Sequence, residues 1–302
     1  MRVPLLGRMT DGPVLVADGA TGTMLQNAGL PTGTPGEDWI FQRPEEIRAL
    51  HRAYVEAGSQ IILTTTFGGT RPRLMAAGLD ASVVELNRRA AELAREVAGD
   101  DVYVAGDVGP TGEMMQPLGP LTYDVAVEVF AEQARGLAEG GADAIAIETM
   151  SDLTEAKAAV AGARQVCDLP ILCTFSFDTH GRTSMGTSPE QAAQAMAALG
   201  VPAIGANCGH APRELLDILP QMQKAAPNAA LIAKPNAGIP HLVKRQVVYD
   251  ATPEQMAELA LRYIGLGAAI VGACCGSSPA HIAAIAAAVA GATSATAQVQ
   301  ER

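Results

Sequence analysis

Residues 142–177 read ADAIAIETMSDLTEAKAAVAGARQVCDLPILCTFSF. The stretch opens on an apolar run, Ala142–Thr149, and closes on another, Pro170–Phe177. Between them, Asp152–Val166 spaces its apolar residues three and four apart, as an amphipathic helix does. A near-continuous apolar run belongs to a strand covered on both faces, the usual state in a parallel sheet. Two such strands joined by a helix make a β-α-β unit with a right-handed crossover.

The unit recurs outward in both directions. Further apolar runs lie at Val14–Ala20, Gln60–Phe67, Val102–Val108, Pro202–Cys208, Ala230–Pro235 and Ala268–Cys274, which brings the total to eight. Helical patterns separate them at Pro44–Ala57, Ala81–Val97, Tyr123–Glu139, Pro189–Leu199, Pro212–Ala225 and Pro253–Leu266, and a last helix opens near Ser278-Pro279. Ser188-Pro189, Thr252-Pro253 and Ser278-Pro279 are N-cap and first-turn pairs, and Gly58, Gly78, Gly140-Gly141 and Gly267 close helices. Eight β-then-α units predict an α/β fold, a single (β/α)8 TIM barrel over residues 1–292 with a flexible tail at 293–302. No Gly-x-Gly-x-x-Gly follows the first run, which weakens the rival open, doubly wound sheet. Leu30–Arg43 is rich in Gly and Pro, carries the only tryptophan, Trp39, and reads as a loop over the barrel mouth.

The bulk numbers exclude some functions. A net charge of -11 argues against nucleic acid as a partner, because phosphate binding needs clustered Lys and Arg. No run of about 18 apolar residues exists, so no membrane-spanning helix is expected. Aromatic residues are only 4%, so the core must be built from Ala, Val, Ile and Leu. Five cysteines, an odd number without a secretion signal, predict a reducing, cytoplasmic setting in which metal binding or catalysis outranks disulfides.

In such a barrel, chemistry gathers where strands end and βα loops begin. Those ends carry Asp18-Gly19-Ala20-Thr21-Gly22, Thr64–Gly69, Gly106–Pro110, Glu148-Thr149, Asn207-Cys208-Gly209, Pro235–Gly238 and Gly272–Gly276. Cys208 ends the sixth run, and Cys274 and Cys275 end the eighth, all at one rim. Three thiolates suit Zn²⁺, and an open fourth position marks a catalytic zinc. Neighbouring strand residues face opposite ways, so the pair at 274–275 needs a turn, which Gly276 permits. Cys167 and Cys173 lack this context and read as structural. His210 is a rival ligand but fits better as a loop residue, and His281 belongs to the first turn of the last helix. His51, His180 and His241 show no partner pattern.

With these motifs in order, the sequence resembles the homocysteine S-methyltransferase family, which includes betaine– and S-methylmethionine–homocysteine methyltransferases and the homocysteine module of cobalamin-dependent methionine synthase. The matches are Asp18–Thr23, Thr66-Phe67, Gly109–Thr111, Glu148-Thr149, Asn207-Cys208, Pro235–Gly238 and Gly272–Gly276, across nearly the whole barrel. The resemblance implies zinc on Cys208, Cys274 and Cys275. It also implies homocysteine held by its amino and carboxylate ends near Asp18, Gly19, Thr66, Glu148 and Asn207. Asp18 and Glu148 suit an ammonium; Thr66 and backbone N–H groups suit a carboxylate.

The implied activity moves a methyl group to the thiol of homocysteine, giving methionine. A free thiol, with a pKa near ~8.5, is mostly protonated at neutral pH; on zinc it is a thiolate. The donor is less legible. The Pro235–Pro240 stretch resembles the methionine synthase module and points first to a methylcorrinoid on a partner protein. S-methylmethionine comes second. Betaine comes third, with Trp39 as one wall of an aromatic box, but the tyrosines and the C-terminal extension of the betaine enzyme are missing. A non-catalytic zinc-binding subunit is the reading of another class. A zinc aldolase or hydrolase would recruit His and carboxylate ligands instead.

Overall fold

The computed structural model describes residues 3–79, 83–209, 211–243 and 246–300; the side chains at 10–11, 243–247 and 293–300 lie outside the description. Eight parallel strands form the barrel: β1 (Leu15–Val16), β2 (Ile61–Leu63), β3 (Tyr103–Val108), β4 (Ala144–Met150), β5 (Ile171–Phe175), β6 (Ala203–Cys208), β7 (Ala230–Pro235) and, after an antiparallel hairpin of β8 (His241–Val243) and β9 (Gln246–Val248), β10 (Ala268–Val271). They pair in the order β1-β10-β7-β6-β5-β4-β3-β2. The ring is closed between β1 and β2, where Ala17 bridges Ile61 and the Gln60 N–H donates to Val16 O at 2.7 Å. The TIM barrel read from the sequence is therefore the observed fold.

Strands β1 and β2 are shorter than their apolar runs. The rest of each run leaves the ladder as loop, and that loop brings Asp18 and Thr66 to the site. The expected helices are present, at Pro44–Glu56, Val83–Ala98, Tyr123–Glu139, Leu153–Val166, Pro189–Ala198, Leu215–Ala225, Pro253–Gly265 and Pro279–Gln300. The last runs on past Ala292 through most of the expected tail. Ser188 and Thr252 form capping boxes with Gln191 and Gln255. Further elements were not expected: the helices Leu5–Asp11, Gly22–Asn27 and Arg71–Ala76, the β8–β9 hairpin, and a 3-10 turn at Gly36–Asp38 leading into a short helix Trp39–Gln42 within the expected loop.

The core has two layers. Inside the barrel, Leu15, Ile61, Leu63, Ala105, Ala146, Leu172, Ile232 and Ile270 fill the lumen, and Leu5 and Met9 of the first helix join them. That helix covers the N-terminal end, where the Tyr103 hydroxyl donates to Val3 O at 2.6 Å. Outside, strands and helices enclose the larger shell around Ile145, Phe130, Ile204 and Tyr263. Burying each aliphatic side chain is worth roughly 1.5–3 kcal/mol, so Ala, Ile, Leu and Val build the barrel with few aromatics. Small residues allow the close packing. A Cβ on Gly136 would lie 2.4 Å from Val84 O, and one on Gly205 would lie 2.0 Å from Ile232 O. Among the described residues no helix is long and apolar enough to cross a membrane.

His51 is buried on the inner face of helix Pro44–Glu56, and its Nε2 has no hydrogen-bond partner among the described residues. Burial lowers its pKa from 6.5 to about 4. The folded chain thus keeps the ring neutral, and the stability it contributes is present above pH 6.5 and lost as pH falls from 6.5 through about 4. That gap corresponds to about 3 kcal/mol. The difference in unfolding free energy between wild type and His51→Met should shift by this order from pH 7 to pH 4. Denaturant titration at a series of pH values measures it, and a pH-independent difference would show that the ring protonates freely in the fold.

Candidate metal centre

Cys208 is the last residue of β6 and Cys274 and Cys275 lie just past β10, with β7 between the two strands. The main chain turns both stretches inward. Cys208 has φ 54° and Gly209 φ 79°, so β6 breaks its pleat at the cysteine. After β10 the Cys274 N–H still donates to Pro235 O, at 2.7 Å, and then Gly276, with φ 78°, reverses the chain. Both sulfurs of the pair can then face the same point. A side chain at 276 would also collide with the Tyr249 ring, 2.1 Å from its Cβ. Cys208 Sγ lies 2.9 Å from Cys274 Sγ and 3.8 Å from Cys275 Sγ, all three lie within 4.8 Å of one another, and all three are free thiols.

Three thiols this close share their protons. The hydrogen bond to Cys274 pushes the Cys208 thiol up, while hydrogen bonds from Cys208 and then Cys274 pull Cys275 down to about 3. They cannot all ionise against one another unless a cation lies among them. A soft, compact, all-sulfur set fits a metal, and among the described residues it is the one group of His, Cys, Asp and Glu side chains with metal-binding geometry. His210, the rival ligand, lies outside the described residues. His281 acts as a cap: its Nδ1 accepts from the Ser278 N–H at 3.1 Å and its Nε2 contacts Ala251 O at 3.0 Å. Cys173 is fully buried in the outer shell and Cys167 ends helix Leu153–Val166, both apart from the triad.

Asn207 braces the centre. Its Oδ1 accepts from the Thr149 N–H at 2.8 Å and the Thr174 hydroxyl at 2.7 Å; its Nδ2 donates to Thr149 Oγ1 at 2.7 Å and toward Cys274 Sγ at 3.8 Å. Thr149, with φ 61°, sits in a conformation that β-branched residues avoid. Asn207 thus holds a strained end of β4 against β5 and the Cys274 turn. All four bonding positions of its amide are used within the protein.

The sulfurs face a cavity of about 790 Å³, lined also by Gly19, Thr66, Asp107, Glu148, Thr149 and Lys234. Gly19 lies where a Cβ would meet Ser277 Oγ at 2.5 Å. That hydroxyl accepts from the Ala20 N–H and donates to Cys274 O, tying the first loop to the cysteine turn. Asp18 Oδ2 accepts from the Leu63 N–H at 2.7 Å, and burial raises its pKa to about 6. Thr66 Oγ1 donates to Asp107 O at 2.7 Å. Glu148 and Asp107 are raised by burial, against the pull of Lys234. Burial works against the charge on Lys234, but Glu148 and Asp18 outweigh it and hold its pKa up.

Of the residues singled out from the sequence, Cys208, Cys274, Cys275, Gly19, Thr66 and Glu148 line the cavity; Asp18 and Asn207 are not among its lining residues and bond to the Leu63 N–H and to Thr149 and Thr174. The sequence reading missed Lys234, Asp107 and Tyr249. A lysine inside Ala230–Pro235 was the available signal, since a charge in a strand buried on both faces needs partners. Tyr249, whose ring packs over Gly276 beside Cys275, comes from beyond the unexpected hairpin and has no sequence signal. Trp39 is buried in the shell beneath the Arg43 guanidinium, 4.5 Å from the ring centre, and does not line the cavity.

Residues 15–289 match the family model described as homocysteine S-methyltransferase. The chain belongs to that family. It is 35% identical over 295 residues to the methionine synthase of Mycobacterium leprae; the match takes in 92% of the chain and about a quarter (24%) of that protein's length. The fold is similar to crystal structures of the homocysteine methyltransferase MmuM from Escherichia coli. The oxidized form has a TM-score of 0.79 at 25% identity, over 95% of this chain and 99% of that one. The metallated form has a TM-score of 0.78 at 26% identity, over 94% and 99%.

Asn207→Leu removes two donors and two acceptors from partly buried partners and releases the turn at Thr149. Its unfolding free energy should fall by about 2–3 kcal/mol. Thermal unfolding checks this; an unchanged midpoint would mean that Thr149 holds its conformation unaided.

Proposed function

We propose that this chain holds Zn²⁺ on Cys208, Cys274 and Cys275 and methylates the thiol of homocysteine to give methionine. One observation carries the reading: three sulfurs from two distant stretches converge at the wall of a cavity whose other polar groups suit the two ends of an amino acid. The zinc, when bound, supplies a Lewis-acidic centre that keeps an incoming thiol deprotonated near neutral pH.

The protein's own part is positioning. Cys208, Cys274 and Cys275 would hold the ion at the cavity wall, within reach of a substrate thiol. Asn207 points an N–H at Cys274 Sγ and so fixes the direction of that sulfur's lone pairs. Asp18 and Glu148 receive the substrate ammonium, which anchors the chain of the substrate so that its sulfur reaches the centre. Methyl transfer to sulfur requires no side-chain base at carbon, so the work of these residues is orientation.

For the donor, the 35% identity to a methionine synthase supports a methylated corrinoid presented by a partner protein. A small sulfonium such as S-methylmethionine is the second reading, supported by Glu37 and Asp38, which also line the cavity, since carboxylates suit a cationic donor. The betaine reading loses its aromatic wall, because Trp39 faces the core. The non-catalytic zinc subunit is disfavoured by Glu148 and Lys234, charged groups that line the cavity beside the sulfurs and suit a charged substrate.

Cys208→Ala should abolish methionine formation and lower bound zinc well below one per chain. Metal analysis and a thiol-consumption assay with each donor in turn check both. Full turnover without metal would overturn the scheme.

A further inference from the structure

We propose that Lys234 binds the α-carboxylate of the amino-acid thiol, so that Asp18, Asp107, Glu148 and Lys234 together form a receptor for a zwitterion. The inference rests on the homocysteine reading above and adds a residue to it.

Lys234 is the next-to-last residue of β7, the strand between the two that carry the cysteines. Its side chain is 7% exposed and lines the cavity. Its Nζ lies 3.4 Å from Glu148 Oε2 and 3.6 Å from Asp18 Oδ1. An ammonium offers three N–H donors, and Glu148 takes one within hydrogen-bond distance. Donor capacity on a nearly buried lysine is therefore left over beside the cavity.

The surrounding acceptors show the complementary surplus. Asp18 Oδ1 and Asp107 Oδ1 are buried, and neither has a donor among the described residues. Three carboxylates face one ammonium, so the floor is short of a cation. An α-ammonium supplies that cation and its donors, and the carboxylate on the same carbon then needs a donor of its own. Thr66, the residue expected for this role, has already committed its hydroxyl hydrogen to Asp107 O. Arg73, the other cation among the described residues on the cavity wall, is exposed and bonded to Pro110 O. Lys234 is the remaining group of the right charge.

The test uses the zinc-loaded full chain and three thiols: homocysteine, 4-mercaptobutanoate, which lacks the amino group, and 3-mercaptopropan-1-amine, which lacks the carboxylate. Calorimetric titration reads binding without any methyl donor. Lys234→Met should weaken homocysteine and 4-mercaptobutanoate by about 10- to 100-fold and leave 3-mercaptopropan-1-amine within about 3-fold, since only the first two offer a carboxylate. Equal loss for all three, or the largest loss for the amine, would overturn the assignment and leave Lys234 as a mere counter-charge. Should Lys234→Met fail to fold, the double variant Asp107→Asn/Lys234→Met removes a negative charge with the positive one, and the same pattern is expected. Wild-type protein that binds no homocysteine would overturn the functional reading itself; wild type that binds it, with uniform losses in the variants, overturns only the role of Lys234.

Discussion

The site depends on two reversals of the main chain that aim three sulfurs at one point. Cys208 takes a left-handed conformation at the end of β6, and Gly276 turns the chain after Cys275. Without the first, the pleat would continue past the ligand; without the second, Cys274 and Cys275 would face opposite sides. The cost of the unusual backbone at Cys208 and at Thr149 is offset by neighbours. Asn207 bonds to Thr149, Thr174 and Cys274, and Ser277 ties the Cys274 turn to the loop after β1. Strain held by surrounding bonds is a frequent property of functional sites.

Closure of the barrel makes these contacts possible. Because β7 lies between β6 and β10, Pro235 touches both ligand stretches: it pairs with Cys208 and accepts from the Cys274 N–H. The same strand delivers Lys234 to the lumen, among carboxylates that arrive from β1, β3 and β4. The metal centre and the charged floor are thus two faces of one structural arrangement. The sulfurs lie where the ladder ends, and the ion pairs lie just inside it. Nearby, the lumen is filled with aliphatic side chains, which excludes water and strengthens every charge interaction above them.

Much of this was legible beforehand because the signals were local. Eight apolar runs separated by helical spacing specify a parallel α/β sheet through period and length, and the missing Gly-x-Gly-x-x-Gly tips the reading from an open sheet to a barrel. The caps at Ser188 and Thr252 are where short-range rules put them. The cysteines were found because Asn-Cys-Gly and Cys-Cys-Gly stand at equivalent strand ends. The reading was weaker where tertiary contacts decide. Leu30–Arg43 looked like open loop, yet Trp39 folds down into the shell and leaves the cavity wall to Glu37 and its neighbours. The Leu5–Asp11 helix was not anticipated, since its signal is only Leu5 and Met9, and their value appears once a barrel end needs covering.

The sequence by itself determined the β/α order, the place of the main helices and which cysteines stand together at the strand ends, because each follows from periodicity or from short motifs that act within a few residues. Only the tertiary structure decided which groups share the chamber. Lys234 is an oddity in an apolar run until β1 and β4 bring Asp18 and Glu148 to its Nζ. Likewise Asn207 looks like a substrate contact until its amide is seen to be spent on Thr149, Thr174 and Cys274. Charge pairing and hydrogen-bond saturation depend on distances in space between residues far apart in the chain, and closure of the ring sets those distances.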